Sequence, residues 1–374
     1  MLEKGKVAAG EFSIIVFTHT VGTAIISLPA LLAAIAKQDA WIAAAITILS
    51  GLLIIFVYNQ LISLYPSMTY VEMNEKILGK WFGKLASVLY LIYVLIIISG
   101  GYRAIGDFFT TQIMIETPIQ VIIILIVLTS VIGVRLGLEV ICRTALIFFP
   151  WVILLLSMLF LLLIPQLKFE NIQPIFGEGI KPIISGSYHH LGIPYLQLLI
   201  LLMVSPFVAE KSDIKKSFYK GTVMGGFTLS LIVLFSILVL GPEFTSRQAY
   251  PTYVLGQTIS IGKFFERVEV IVAITWVFTI YFKVTISYYA LTLGLAQLFE
   301  LKNYQILIFP LSFLIVSLSI FLLPNVSSIN YFNANTLTPY SLTICFILPL
   351  LLILVGKIRK KQSSASNTTN HPSG

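Results

Sequence analysis

Phe17-Thr18-His19-Thr20-Val21-Gly22-Thr23-Ala24-Ile25-Ile26-Ser27-Leu28-Pro29 lies inside an apolar run that extends from about residue 11 to residue 36. A run of that length is a membrane-span candidate. Its middle holds a glycine, which tolerates unusual backbone angles, and a proline, which lacks an amide donor. A second interrupted run follows in the other half of the chain, Ser187-Tyr188-His189-His190-Leu191-Gly192-Ile193-Pro194. In lipid, an interrupted helix leaves main-chain groups that must find partners, so breaks survive where they line a cavity or bind something. One break in each half points to a small-solute site near the membrane midplane.

Hydrophobic residues make up 57% of the 374 and charged residues 11%. That balance excludes a soluble protein of this length. The net charge of +8 does not indicate nucleic acid, because no basic patch is interleaved with stacking aromatics. Cys142 and Cys345 sit in or beside apolar runs and read as small apolar fillers. The first run is too long for a cleaved signal core and reads as an uncleaved span.

Spans are predicted at 11–36, 41–65, 84–109, 118–135, 144–164, 187–209, 218–240, 267–299, 304–323 and 338–357. The expected fold is an all-α polytopic membrane protein with ten transmembrane helices, the first and sixth discontinuous. Sixteen lysines and arginines fall on the side of the termini and six on the other, namely Lys37, Lys168, Lys181, Arg247, Lys263 and Arg267. By the positive-inside rule both termini are cytoplasmic. Five spans precede the loop at 165–186 and five follow it, so the halves have opposite topology, a 5+5 inverted repeat over about 11–164 and 187–357. The transmembrane domain covers 1–361, and residues 362–374, rich in Ser, Asn and Thr, are predicted as a disordered cytoplasmic tail.

If the first helix stops near Thr20 and Val21 and restarts after Gly22, the amides of Gly22, Thr23 and Ala24 form a free helix N-terminus that attracts a carboxylate. Carbonyls before the break would face an ammonium group. Leu191 and Gly192 would offer the complementary end in the sixth span. The alternative is that Gly22 only permits close helix packing and Pro29 only kinks.

Lys283 falls at the centre of the eighth span. A lysine there costs about 2.5–3.5 kcal/mol on insertion scales, and both ends are too distant for snorkelling, so it should face the interior. It reads as a fixed or titrating cation, as a proton-coupling group, or as a structural donor to the helix break. Thr285 and Tyr289, spaced i, i+4, share one face, which is placed on the pocket. Arg103 and Asp107 have the same spacing near the outer end of the third span; they read as an ion pair or an outer gate, with Tyr102 reaching the pocket. His189 and His190 lack partners for a metal site. No nucleophile–base arrangement, nucleotide motif or cofactor motif is present, so neither an enzyme nor a cofactor is expected.

The opening Gly10-Glu11-Phe12-Ser13, the run Val21 to Pro29, the segment Tyr70-Val71-Glu72-Met73-Asn74-Glu75-Lys76-Ile77-Leu78-Gly79, and Ser205-Pro206-Phe207 at the exit of the sixth span resemble the B subunits of spore germinant receptors. Together with the ten-span layout, the resemblance covers about residues 5–357. That family belongs to the amino acid–polyamine–organocation transporter superfamily, with a leucine-transporter-like fold. The resemblance implies a location in the spore inner membrane, assembly with a larger membrane A subunit and a C-subunit lipoprotein, and sensing of amino acids or other nutrients. It places the pocket among spans 1, 3, 6 and 8. Two functions follow from one pocket: a receptor subunit whose helix-bundle equilibrium shifts on ligand binding, or a proton-coupled amino acid permease.

Overall fold

The structure, a computed structural model, describes residues 5–259, 267–322 and 325–368. Lys263, counted above for orientation, lies outside them. Apart from one isolated bridge, the regular structure of the described residues is helical. The helices are α1 (Ala9–Val21), α2 (Ala24–Ala36), α3 (Ala40–Leu64), α4 (Tyr70–Leu78), α5 (Lys80–Phe108), α6 (Ile119–Leu136), α7 (Leu138–Leu163), α8 (Ile180–Leu191), α9 (Ile214–Leu240), α10 (Pro242–Arg247), α11 (Pro251–Thr258), α12 (Glu269–Leu298), α13 (Ile308–Phe321), α14 (Val326–Tyr331), α15 (Leu337–Leu342) and α16 (Leu348–Thr368).

Eight helical segments among the described residues are long and apolar enough to cross a membrane: 24–64, 80–113, 119–136, 138–166, 214–240, 269–298, 304–321 and 332–360. The chain is a multi-pass membrane protein. The first segment is α2 and α3 joined by the turn Lys37–Asp39. The two runs in which the sequence predicts breaks are interrupted. α1 ends at Val21 and α2 begins at Ala24. α8 ends at Leu191, a turn follows, and the chain resumes as a 3-10 helix over Leu196–Met203. At 12–13 residues each, α1 and α8 are too short to span alone.

Local chemistry explains the corners. Thr69 caps α4, accepting from the Glu72 amide at 3.3 Å while the Glu72 carboxylate accepts from the Thr69 amide at 2.8 Å. Gly79 at φ +87° and Gly137 at φ +96° turn the chain from α4 into α5 and from α6 into α7 in a region that favours glycine. The last crossing starts earlier than the predicted residue 338: Val326–Tyr331, a π turn at Phe332–Thr336, α15 and a second π turn at Thr343–Ile347 lead into α16. Asn333, Asn335 and Thr336 read as loop residues in sequence, but their backbone lies in the first π turn. α16 runs to Thr368, so residues 362–368 continue a helix in the segment predicted as tail; 369–374 lie outside the described residues.

α1 packs on α9 with almost no gap. A Cβ added at Gly221 would fall 2.3 Å from the Ser13 carbonyl oxygen, and one at Gly225 would fall 2.6 Å from Thr20 Cβ. Small residues let membrane helices approach this closely, where packing replaces the missing hydrophobic drive. The Tyr195 ring fills a slot between Gly51 and Gly226. The end near the termini is stitched by a short parallel bridge: the Val7 amide donates to the Phe207 carbonyl at 3.0 Å, and the Ala209 amide to the Val7 carbonyl at 2.9 Å. At the opposite end, Lys37 pairs with Glu178 at 2.5 Å, and Asp39 accepts from the Phe176 amide at 3.1 Å.

Candidate functional site

Both breaks open on one cavity of about 70 Å³. Thr23 lines it from the first break, and Ile193 and Gln197 line it from the second. α5 contributes Gly100, Gly101 and Asp107, the segment before α11 contributes Tyr250, and the last crossing contributes Ile329, Phe332 and Asn333. Helix geometry leaves the first amides of α2 without intrahelical partners. One expected free amide is not free, since Gly22 N–H donates to the Thr18 carbonyl at 2.8 Å and completes α1.

Lys283 is 2% exposed. Its stem lies on Gly22, where an added Cβ would fall 2.3 Å from Lys283 Cδ, and its Nζ donates to Thr23 Oγ1 at 3.0 Å. No carboxylate among the described residues forms an ion pair with it. One turn on, Ser287 Oγ donates to the Lys283 carbonyl at 2.7 Å, so its oxygen accepts from His19 Nε2 at 3.3 Å. That order of donors places a proton on His19 Nε2. The face of α12 carrying Lys283 and Ser287 thus meets the first break.

The face assigned by sequence to the pocket turns elsewhere. Thr285 Oγ1 donates to Ser130 Oγ of α6 at 3.0 Å, and the Tyr289 ring stacks edge-on to Tyr304 with centroids 5.7 Å apart. Neither lines the cavity. Successive helical residues are about 100° apart, so Thr285 points far from Lys283. Thr20 donates to the Val16 carbonyl at 2.8 Å and packs on Gly225, away from the cavity. Val21 and Tyr102 are fully buried outside the lining. The Leu191 carbonyl accepts from the Tyr195 amide at 3.3 Å. Gly192 faces the last crossing: a Cβ there would fall 2.5 Å from Thr338 Oγ1, which itself donates to the His189 carbonyl at 3.1 Å.

Arg103 Nε donates to Asp107 Oδ2 at 2.9 Å, both side chains 8% exposed, and the guanidinium also donates to the Ile320 carbonyl at 3.2 Å. Asp107 reaches the cavity, so the pair forms one wall of it. Above it, Phe108, Tyr250, Tyr253 and Trp276 form an aromatic cluster, and Thr252 Oγ1 donates to the Ile25 carbonyl at 3.0 Å. The short helix α11 is thereby fastened over the start of α2. The sequence reading missed Gln197, Asn333 and Tyr250. Gln197 had a usable signal, since it is the one carboxamide in the apolar run from Ile193 to Val204.

A helical bundle with paired breaks around a central cavity defines a transporter-fold membrane protein, and solved structures agree. The chain resembles the structure of MhsT in complex with L-phenylalanine (TM-score 0.67, 13% identity, 94% of this chain and 99% of that one). It also resembles a Na+-coupled sialic acid symporter (TM-score 0.63, 14% identity, 92% and 80%) and a manganese transporter of Eremococcus coleocola (TM-score 0.57, 11% identity, 98% and 89%). The chain belongs to the spore germination protein family, whose sequence profile matches residues 6–327. Relatives include Spore germination protein KB of Bacillus subtilis (strain 168), 26% identical over 369 residues and 98% of both chains. Spore germination protein A2 of the same organism is 27% identical over 371 residues, covering 93% of this chain and 94% of that one.

Proposed function

We propose that this chain is the nutrient-sensing membrane subunit of a spore germinant receptor, holding a small solute such as an amino acid in the cavity between the two breaks. The observation that carries this reading is the convergence of Thr23 from one break and Ile193 and Gln197 from the other on a single space. Gly22 and Thr23 form the first edge of the site, and Lys283 fixes that edge. Arg103 and Asp107 close the far wall. Thr20, Val21, Tyr102, Leu191, Gly192, Thr285 and Tyr289 shape the packing behind the lining. At about 70 Å³ the cavity is well below the ~300–1,000 Å³ of open ligand pockets, so binding requires the bundle to yield, and a ligand that favours the yielded form shifts the equilibrium.

Taking α3 alone as the crossing in segment 24–64, with α1–α2 and the α8 run as two interrupted crossings beside the other seven long segments, gives ten, five in each half with opposite topology. The lysine and arginine bias puts both termini in the cytoplasm. Family membership supports a spore inner-membrane location and assembly with an A subunit and a C-subunit lipoprotein. The second reading, a proton-coupled amino acid permease, draws on the transporter fold and on the Lys283 ammonium at the break.

Purified full-length protein in liposomes separates the two. The receptor reading expects saturable binding of a labelled small amino acid with no accumulation inside. Accumulation that disappears in Lys283→Met supports the permease. Absence of binding to any small amino acid, alone and with its partner subunits, overturns the solute site.

A further inference from the structure

Gln197 stands apart from the rest of the cavity. It is 2% exposed, it lines the space, and its Oε1 has no hydrogen-bond partner among the described residues. A buried carboxamide oxygen without a donor is costly, and native structures rarely leave one so. The 3-10 helix that carries it offers no local remedy. Tyr58, across the interface, directs its hydroxyl at the Leu196 and Cys345 carbonyls, 2.9 and 2.7 Å away. That contact holds the backbone beside Gln197 and does not reach its carboxamide oxygen.

The charge of the lining narrows what completes this group. Among the described residues Asp107 is the one charged residue on it, and Arg103 already neutralises Asp107 at 2.9 Å. Lys283 is outside the lining and engaged with Thr23. A solute with net charge would enter a largely aliphatic space with no free counter-charge, which is heavily penalised. A solute of zero net charge pays less, because any charges it carries are offset by opposite charges within the same molecule, and an N–H or O–H donor on it satisfies the orphan oxygen.

We infer that Gln197 is the specificity-determining residue of the cavity: its carboxamide oxygen accepts a hydrogen bond from a small solute of zero net charge. The inference rests on the cavity being the solute site and adds the residue that reads the solute. A carboxylate at this position would favour a cation of the same shape.

The test is equilibrium binding to the full-length protein in lipid nanodiscs, below the amine pKa of the amides. Glycine and L-alanine are the zwitterionic probes, and glycinamide and L-alaninamide are their cationic counterparts. The parent protein is expected to prefer the zwitterions. Gln197→Met is expected to weaken binding about tenfold, the equivalent of one hydrogen bond. Gln197→Glu is expected to move the zwitterion-to-amide preference at least about tenfold toward the amide. A purely structural role would lower thermal stability without moving that ratio. Unchanged affinity in Gln197→Met, or an unmoved ratio in a folded Gln197→Glu, overturns the assignment and leaves the solute site standing. If the parent binds none of the four probes, the solute site itself fails for solutes of this size, and the assignment fails with it.

Discussion

Lys283 rests directly on Gly22. The carbon chain of the lysine occupies the volume that any other side chain at position 22 would need, and its ammonium then reaches the hydroxyl of the next residue, Thr23. The break in the first span and the charge in the eighth are therefore one structural unit. Nothing larger than hydrogen fits at position 22 without moving the middle of the Lys283 stem, which is held at both ends.

Gly22→Ala is expected to displace Lys283 and to break its bond to Thr23, at an overpacking cost of about 1–3 kcal/mol. Membrane insertion should persist, because the apolar run is unchanged. Solute titration of the purified variant is expected to show affinity reduced by about tenfold or more. Parental affinity with an intact Lys283–Thr23 contact would detach the break from the site.

Lys283→Met keeps the length of the stem and removes the charge. Replacing a buried charge with an apolar group of similar volume is often neutral or stabilising, here by about 0–3 kcal/mol. The expected outcome is a variant at least as heat-stable as the parent that has lost its response to nutrient. Lys283→Arg should not restore the response, since the planar guanidinium does not fit over Gly22. A parental dose–response curve in Lys283→Met would reduce the lysine to scaffolding.

Gly192→Ala should clash with Thr338 Oγ1, 2.5 Å from the added methyl group. It is expected to lose about 1–3 kcal/mol. Trimming the neighbour should relieve the clash, so Gly192→Ala/Thr338→Ala is expected to recover part of the loss. A thermal-melting cycle over the four proteins measures the coupling. Strictly additive effects would show that the two residues do not share the space.

Asp107→Asn leaves the Arg103 guanidinium buried without a carboxylate. Breaking such a pair from one side costs about 3–5 kcal/mol, whereas removing both charges costs far less. Asp107→Asn is thus expected to melt well below Arg103→Met/Asp107→Leu. Equal melting temperatures would mean that the pair is open to water in the membrane.

The two breaks were legible in the sequence because glycine and proline interrupt long apolar runs, and no ordinary span needs them. The orientation of α12 was not. From Phe282 to Leu293 every residue is buried, so the helix has no lipid-facing stripe against which to phase its faces. The i, i+4 spacing of Thr285 and Tyr289 marked a shared side without saying which neighbour it meets, and the neighbours are Ser130 and Tyr304. Gln197 lies five residues beyond the glycine that marks the second break, and nothing in its spacing says that it turns toward the same space. The start of the last crossing was hidden by its own asparagines, whose polarity reads as loop.

The bridge between Val7 and the Phe207–Ala209 segment has a mechanical consequence. It fastens the chain just before the first interrupted helix to the chain just after the second, so the lower halves of both travel as a pair. Any tilt set off in one half-helix is transmitted through Val7 to its counterpart.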